Sequence, residues 1–310
     1  MKRKGAMNMK RFIKLTALFT LMISLVAAFV MPVSADEVIN EKLGVPIVVY
    51  GGNLTEEQKT ETQKLLEVTD PEMVDEYTVT GEDLAKYIGG NPNSRMFSSA
   101  KITMEEEGKG LNVSIITPDN ITEVTSEMYA NALLTAGVEN ATVVVASPVK
   151  VTGHSALTGI YKAYDVEGVE LDKERMELAN EELNVATDLV SSAGLSKEQV
   201  SELITQIKQA LAEQKPASVE DVERIVQEQL DKLEISLSEK DRQLLIDLFD
   251  KMRNLNIDFD QVKNQLNDIA SKVQEQIGDL LADEGFWDSV GNFFKKIFEA
   301  IAEFFTNLFK

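Results

Sequence analysis

Residues 45–58 read VPIVVYGGNLTEEQ and contain, in order, the signals of a strand, a turn and a helix start. The apolar and largely β-branched run 45–50 predicts a buried strand that ends at the glycine pair after it. Thr55 and Gln58 have the spacing of a capping box, which predicts a helix over residues 55–68. A strand followed at once by a helix indicates that this part of the chain is a sheet covered by helices.

The following segments continue this alternation. They predict, in order, a short strand at 77–79, a helix at 82–88, a β-hairpin formed by 99–104 and 111–117, a helix at 122–136 and a strand at 141–146. Because a hairpin and strand–helix–strand crossovers both occur, we expect a mixed sheet. Residues 36–171 are therefore predicted to form a mixed α/β domain.

After residue 171 the apolar pattern changes to a helical period. Ser196, Ser218, Ser238 and Asp258 each precede an apolar helical stripe and have Gln or Asp three residues later, as helix N-caps do. With a further helix over 172–191, these signals predict an antiparallel bundle of about five helices over 172–284. The fold class predicted for the whole chain is α+β: the mixed domain, the bundle and a C-terminal amphipathic helix.

The first 35 residues have the pattern of a secretory signal peptide. They carry six basic residues and no acidic one, followed by an apolar run at 15–31. Val33 and Ala35 occupy the two small-residue positions that a signal peptidase reads, so we expect cleavage between Ala35 and Asp36. The alternative is an uncleaved membrane anchor, since about 20 apolar residues can span a bilayer.

Removing this segment leaves a strongly acidic chain without cysteine. The full sequence has 31 basic and 52 acidic residues, so the loss of six basic residues leaves 25 and a net charge of −27. Such a charge is repelled by phosphate backbones and by anionic lipids, which argues against a nucleic-acid partner. An exported chain without Cys has neither disulfides nor a lipidated Cys, and its stability has to come from its core.

The C-terminal residues 285–310, here called the aromatic tail, differ in composition from the rest of the chain. They hold seven of the 13 Phe residues and the only Trp. Helical spacing gives them one polar and one apolar side, and the apolar side predicts binding to a membrane surface or to an envelope protein. The residues predicted to make this contact are Phe286, Trp287, Val290, Phe293, Phe294, Ile297, Phe298, Ile301, Phe304, Phe305, Leu308 and Phe309.

Two other interpretations of the aromatic tail remain open. The tail can complete the bundle as its last helix, or it can associate with a second copy of the chain as a homo-oligomer. In either case the protein would be structural, and the tail would contact no outside partner.

His154 and Ser155 form the most enzyme-like pair in the sequence. An envelope hydrolase that uses this region is the alternative functional prediction. A working nucleophile, however, also needs an orienting group and an oxyanion site, and the sequence shows neither. We therefore predict no catalytic residue and interpret Ser155 as a helix N-cap that follows a loop residue, His154.

Two further segments can be interpreted as ligand sites. The Gly-Gly-Asn turn at 51–53 can hold an anion on backbone N–H groups, but the signal is weak and a tight turn is the commoner cause of such glycines. The three consecutive Glu residues at 105–107 can attract Ca²⁺, although they lack the spacing of a calcium loop. Because the chain has one His and no Cys, we predict no metal site and no cofactor.

The stretches 49–58, VYGGNLTEEQ, and 155–164, SALTGIYKAY, follow an export signal. Together they resemble domain-of-unknown-function family one thousand and two, a family of predicted secreted proteins of Gram-positive bacteria. The resemblance covers most of the chain from the signal to the helical region. It implies export and a shared fold, and it assigns no activity.

The sequence as a whole predicts an exported, non-enzymatic cell-envelope protein, found outside the cell or on the outer face of the cytoplasmic membrane. Its aromatic tail is the part predicted to bind a membrane surface or a protein partner.

Overall fold

The computed structural model of the protein describes residues 43–255 and 257–282, with side chains up to 278. The predicted signal peptide, with Val33, Ala35 and Asp36 at its cleavage site, lies outside the described residues. The aromatic tail at 285–310 also lies outside them, together with all twelve side chains predicted to bind a membrane or a partner.

Five strands form one mixed sheet in the order β2-β1-β3-β5-β4. The central strand, β3, is antiparallel to both of its neighbours, whereas β1 is parallel to β2 and β4 is parallel to β5. The mixed sheet and the α+β class are thus confirmed. The strands are β1 (Ile47–Gly51), β2 (Asp75–Val79), β3 (Ser99–Met104), β4 (Leu111–Ile115) and β5 (Ala141–Ala146).

The predicted hairpin between residues 99–104 and 111–117 is wrong, because β5 lies between β3 and β4. The sequence of β5, ATVVVA, is apolar throughout and has to be buried inside the sheet. The Asn140 side-chain oxygen accepts hydrogen bonds from Gly108 N (2.9 Å) and Gly110 N (3.1 Å). The glycine-rich turn is therefore held against the start of β5 rather than closing a hairpin.

Strand β1 is buried on both faces of the sheet, as its continuous apolar run predicts. Val49 packs into the main core, whereas Val48 and Tyr50 face a smaller cluster around Leu66. At the end of the strand, a Cβ on Gly51 would lie 2.6 Å from the carbonyl oxygen of Met96. Only glycine fits this close approach of two backbones.

Helices surround the sheet and make up most of the remaining chain. A 3₁₀ turn covers Pro71–Met73, and the α-helices of the described residues are α1 (Glu56–Leu65), α2 (Gly81–Ile88), α3 (Ser126–Ala136), α4 (Ser155–Val166), α5 (Lys173–Ala193), α6 (Lys197–Gln214), α7 (Val219–Lys232), α8 (Glu239–Asn254) and α9 (Lys263–Ala282). No helix within the described ranges is both long enough and apolar enough to cross a bilayer.

Most of the predicted helix starts are confirmed. Thr55 begins α1 with a complete capping box, Ser196 begins α6 in the same way, and Ser218 and Ser238 accept the expected backbone bonds. The start predicted at Asp258 is wrong, since α9 begins at Lys263. Asp258 instead accepts a hydrogen bond from Asp260 N (3.0 Å), so its carboxylate stabilises a turn before the helix.

One hydrophobic core runs from the sheet into the helices that follow it. Helix α3 packs against β4 on one side and against α5 and α6 on the other. Helix α9 packs along α6 and lies beside β4, where the Gln265 side-chain oxygen accepts a hydrogen bond from Leu111 N (2.8 Å). The edge of β4 is therefore partly covered by α9. The division at residue 171 into two separate domains stays a prediction.

A buried ion pair joins three of the helices. The side chain of Lys208 on α6 is 0% exposed, and its Nζ lies 2.6 Å from Glu182 Oε1 on α5, which is 2% exposed. Lys208 Nζ also donates to Asn131 O (2.7 Å) and to Thr135 Oγ1 (2.8 Å), both on α3. Burial lowers the pKa of Lys208, and the carboxylate of Glu182 opposes this shift. Three helices thus meet at one ammonium group.

Replacing Lys208 alone is expected to lower the free energy of unfolding much more than replacing both Lys208 and Glu182. Lys208→Met leaves the Glu182 carboxylate buried without a counter-ion, with only the Thr135 hydroxyl as a donor to it, so the free energy of unfolding should fall by about 3–5 kcal/mol. The double variant Lys208→Met/Glu182→Leu should recover most of this loss, since no charge is then buried. Urea denaturation measures both.

The matched control is Lys173→Met, because Lys173 and Glu177 form an exposed pair at 3.7 Å. This control should change the free energy of unfolding by less than about 1 kcal/mol. Equal losses in the single and double variants would show that the buried charge is not the cause.

Candidate functional site

The loops that follow β4 and β5 meet beyond the carboxyl ends of these two strands. Thr122 N donates to Val151 O (2.9 Å), and the chain then turns at Gly153 into α4. Gly153 has a φ of +111°, and a Cβ there would lie 2.7 Å from Ile121 Cγ2. Its carbonyl accepts a hydrogen bond from the buried Tyr129 hydroxyl (2.5 Å). The residues around the predicted hydrolase motif are therefore a tightly packed junction.

His154 and Ser155 do not form a nucleophile and base pair. The two ring nitrogens of His154 lie 3.2 Å from Thr152 Oγ1 and 3.4 Å from Thr187 Oγ1, and neither bonds to Ser155. The predicted N-cap at Ser155 is also wrong, because His154 is the N-cap and makes no side-chain cap bond. Ala156 N donates to Gly153 O instead, so the turn leads directly into the helix.

The electrostatic environment of His154 favours a neutral imidazole. Burial lowers its pKa below the usual value of 6.5, and the nearby carboxylates of Glu123 and Asp188 oppose this shift. The hydrogen bonds of the ring go to two threonine hydroxyls, Thr152 and Thr187. The histidine therefore serves as a packing residue between the loop and α5.

The two other predicted ligand segments are occupied by protein contacts. Gly52 N donates to Val79 O (2.8 Å) and Asn53 N donates to Met96 O (2.9 Å), so these N–H groups are not available to an anion. Glu105 Oε1 accepts a hydrogen bond from Thr142 Oγ1 (2.8 Å). Among the described residues, no three His, Cys, Asp or Glu side chains are placed to hold a metal ion.

The structure reveals a cavity of about 450 Å³ that sequence reasoning missed. It lies where β4 ends and α3 begins, and we call it the β4 crevice. Its walls are mainly apolar on the sheet side, and charged or amide side chains from α3, α6 and α9 stand at its rim. The lining residues are Ile115, Pro118, Ile121, Val124, Thr125, Ser126, Glu127, Lys197, Glu198 and Gln276.

Several polar groups of the β4 crevice bind other parts of the protein. Lys197 Nζ donates to Thr122 O (2.6 Å), and Ser126 Oγ accepts from Ile115 N (3.1 Å). Glu127 Oε1 accepts from Gln276 Nε2 (3.1 Å). Ser126 and Glu127 are thus engaged by Ile115 and Gln276, and the crevice offers an apolar surface with a polar rim.

One signal in the sequence could have located the β4 crevice. In sheets with parallel strands, ligands bind outside the carboxyl ends of those strands. The parallel pair of β4 and β5 was not predicted from the sequence, because the sequence pattern pairs residues 99–104 with 111–117 as a hairpin. Once β5 is placed between β3 and β4, the apolar residues after Ile115 fall at such an end.

The chain matches the family model described as "Protein of unknown function (DUF1002)" over residues 50–269. It is also 36% identical over 208 residues to "Uncharacterized protein YpuA" of Bacillus subtilis (strain 168). That alignment covers 64% of this chain and 69% of the relative. No solved structure matches the chain. The residues matched by the family model include most of the β4 crevice and leave out the aromatic tail.

A pH titration of stability tests the role assigned to His154. Its pKa is lower in the folded chain than in the unfolded one, so below about pH 6.5 the unfolded chain binds a proton that the folded chain does not. The free energy of unfolding should therefore decrease as the pH falls through this range. His154→Gln should lack this component, because glutamine does not titrate. Urea denaturation at several pH values measures the difference.

Ser155→Ala is the control and should follow the pH dependence of the unmodified protein. Parallel curves for His154→Gln and the unmodified protein would contradict the assignment.

Proposed function

Because the chain belongs to the DUF1002 family of proteins of unknown function, its role has to be inferred from its own residues, and we propose that it is an exported, non-enzymatic protein of the cell envelope. In this proposal the aromatic tail binds a membrane surface, and the acidic folded part of the chain is held there by the tail.

The observation that carries the proposal is the position of the aromatic residues directly after a firmly packed helix. Leu266, Ile269 and Val273 bury one side of α9 in the core, and the described part of the helix runs to Ala282. The twelve apolar and aromatic residues of the tail begin shortly afterwards, at Phe286, and extend to Phe309. A helix held in this way supplies a fixed attachment point for a segment with a large apolar face.

Apolar burial has to supply the affinity for the membrane. The tail contains three Lys residues and three acidic ones, and the mature chain carries a net charge of −27. Attraction to anionic headgroups is therefore weak or absent. Each aromatic side chain that leaves water contributes about 1.5–3 kcal/mol, so a few of them suffice for stable binding.

The non-enzymatic part of the proposal is supported by the described residues. His154 and Ser155 do not interact, and the bonds made at the β4 crevice link parts of the protein. The buried pair of Lys208 and Glu182 is ionisable, but it is closed to solvent and cannot meet a substrate. A binding role is the function that these groups favour.

Export is the other part of the proposal. The signal pattern of the first 35 residues supports it. The proposed site of action is then outside the cell or on the outer face of the cytoplasmic membrane.

Substitution on the apolar side of the tail should abolish membrane binding. We expect Phe294→Ser/Ile301→Ser/Phe304→Ser in the chain 36–310 to lower partitioning into phosphatidylcholine vesicles by on the order of a hundredfold or more, since three buried side chains are removed. Co-sedimentation measures the bound fraction. The control Asp288→Asn/Glu299→Gln/Glu303→Gln changes the polar side and should still bind.

Unchanged co-sedimentation of the serine variant would overturn the membrane proposal. Light scattering on the same proteins identifies the alternative. A multimer that the serine variant dissociates would assign the tail to self-association.

A further inference from the structure

The geometry points to the β4 crevice as a docking site for the first part of the aromatic tail, residues 286–294, when the protein is away from a membrane. This inference rests on the proposed membrane-binding role of the tail and deepens it. The same aromatic side chains would have two competing apolar environments, the crevice and the bilayer.

The path of α9 leads to the β4 crevice. Gln265 contacts the first residue of β4, and Lys272 Nζ lies 3.4 Å from Asn112 Oδ1 one residue further on. Gln276 then reaches the crevice itself, where it donates to Glu127. The helix thus runs beside β4 in the direction of the strand and passes the crevice about one and a half turns before its end.

The chain that follows is long enough to turn back. From Gln276 to Ala282 the helix advances about 9 Å, at 1.5 Å per residue. The five residues from Ala282 to Trp287 can span up to about 17 Å when extended. They include Gly285, which readily adopts the backbone angles of a reversal. Trp287 and the Phe residues after it are therefore within reach of the crevice.

The chemistry of the β4 crevice suits an aromatic occupant. Its volume of about 450 Å³ falls in the usual range for ligand pockets, roughly 300–1,000 Å³. Ile115, Ile121 and Val124 form apolar walls, and Ile121 and Val124 are themselves buried in the core. Lys197 and Glu198 provide both charges at the rim. The docking segment itself carries Asp288, and Lys295 and Lys296 follow directly after it.

Docking predicts a competition that can be quantified. If about nine in ten molecules hold the tail in the crevice, the apparent affinity for vesicles is reduced about tenfold by that closed fraction. A variant that weakens the crevice should therefore bind vesicles about tenfold more tightly. The folded unit would keep the aromatic residues covered until a bilayer is near.

The chain 36–310 contains a single tryptophan, Trp287, whose fluorescence reports on the docked segment directly. Without vesicles, we expect a short-wavelength emission maximum and slow quenching by acrylamide. Ile115→Asp, which places a carboxylate in the crevice wall, should move the emission to longer wavelength and increase quenching severalfold. Pro118→Asp, at an exposed position of the same crevice, should act in the same direction and does not depend on a core residue.

The control is Ile116→Asp, the adjacent residue, which is 39% exposed and does not line the crevice. It should leave both the emission and the quenching unchanged. Circular dichroism shows that each variant is folded, and the emission should not depend on protein concentration if the docking is within one molecule.

Adding phosphatidylcholine vesicles separates this inference from the proposed function. Suppose that the protein binds vesicles, but that without vesicles Trp287 is already water-exposed or its emission does not respond to either crevice variant. This result would overturn the docking and leave the membrane role intact. A shielded Trp287 that both crevice variants release, in a protein that binds no vesicles, would support the docking and overturn the membrane role.

Discussion

An ammonium group without access to water has to be surrounded by acceptors, and in this protein the acceptors of Lys208 come from separate helices. Glu182 belongs to α5, whereas Asn131 and Thr135 belong to α3, which packs on the sheet. These bonds form only at one relative position of the three helices. The buried pair therefore favours this arrangement of the three helices, one of which packs on β4, because another arrangement would leave a buried charge without its partner.

The position of α3 in turn determines the surface features of the molecule. Its first turn contributes Ser126 and Glu127 to the β4 crevice, and Glu127 meets α9 through Gln276. Its Tyr129 holds the carbonyl of Gly153, which places His154 against Thr187 on α5. The same helix thus explains why the apparent hydrolase motif is a packed junction and why an apolar cavity opens beside it.

Local signals in the sequence predicted most of the helices and strands. They did not predict which strands lie next to each other in the sheet. The hydrogen bonds of the capping boxes at Thr55 and Ser196 join residues only three positions apart, so the spacing alone identifies them. The pairing of β3 with β5 depends on residues about forty positions apart, and a glycine-rich turn gave a misleading local preference for a hairpin. Asp258 failed as a cap for a related reason, since its carboxylate serves the turn before α9.

The sequence by itself determined the mixed α+β composition, most helix starts, the acidic charge and the aromatic character of the last 25 residues, because each depends on residue type or short-range spacing. The tertiary structure alone decided the strand order, the enclosure of Lys208, the glycine requirement at Gly153 and the β4 crevice. These features arise where segments distant in the chain come into contact. Their energies depend on burial and on partners that no short stretch of sequence contains.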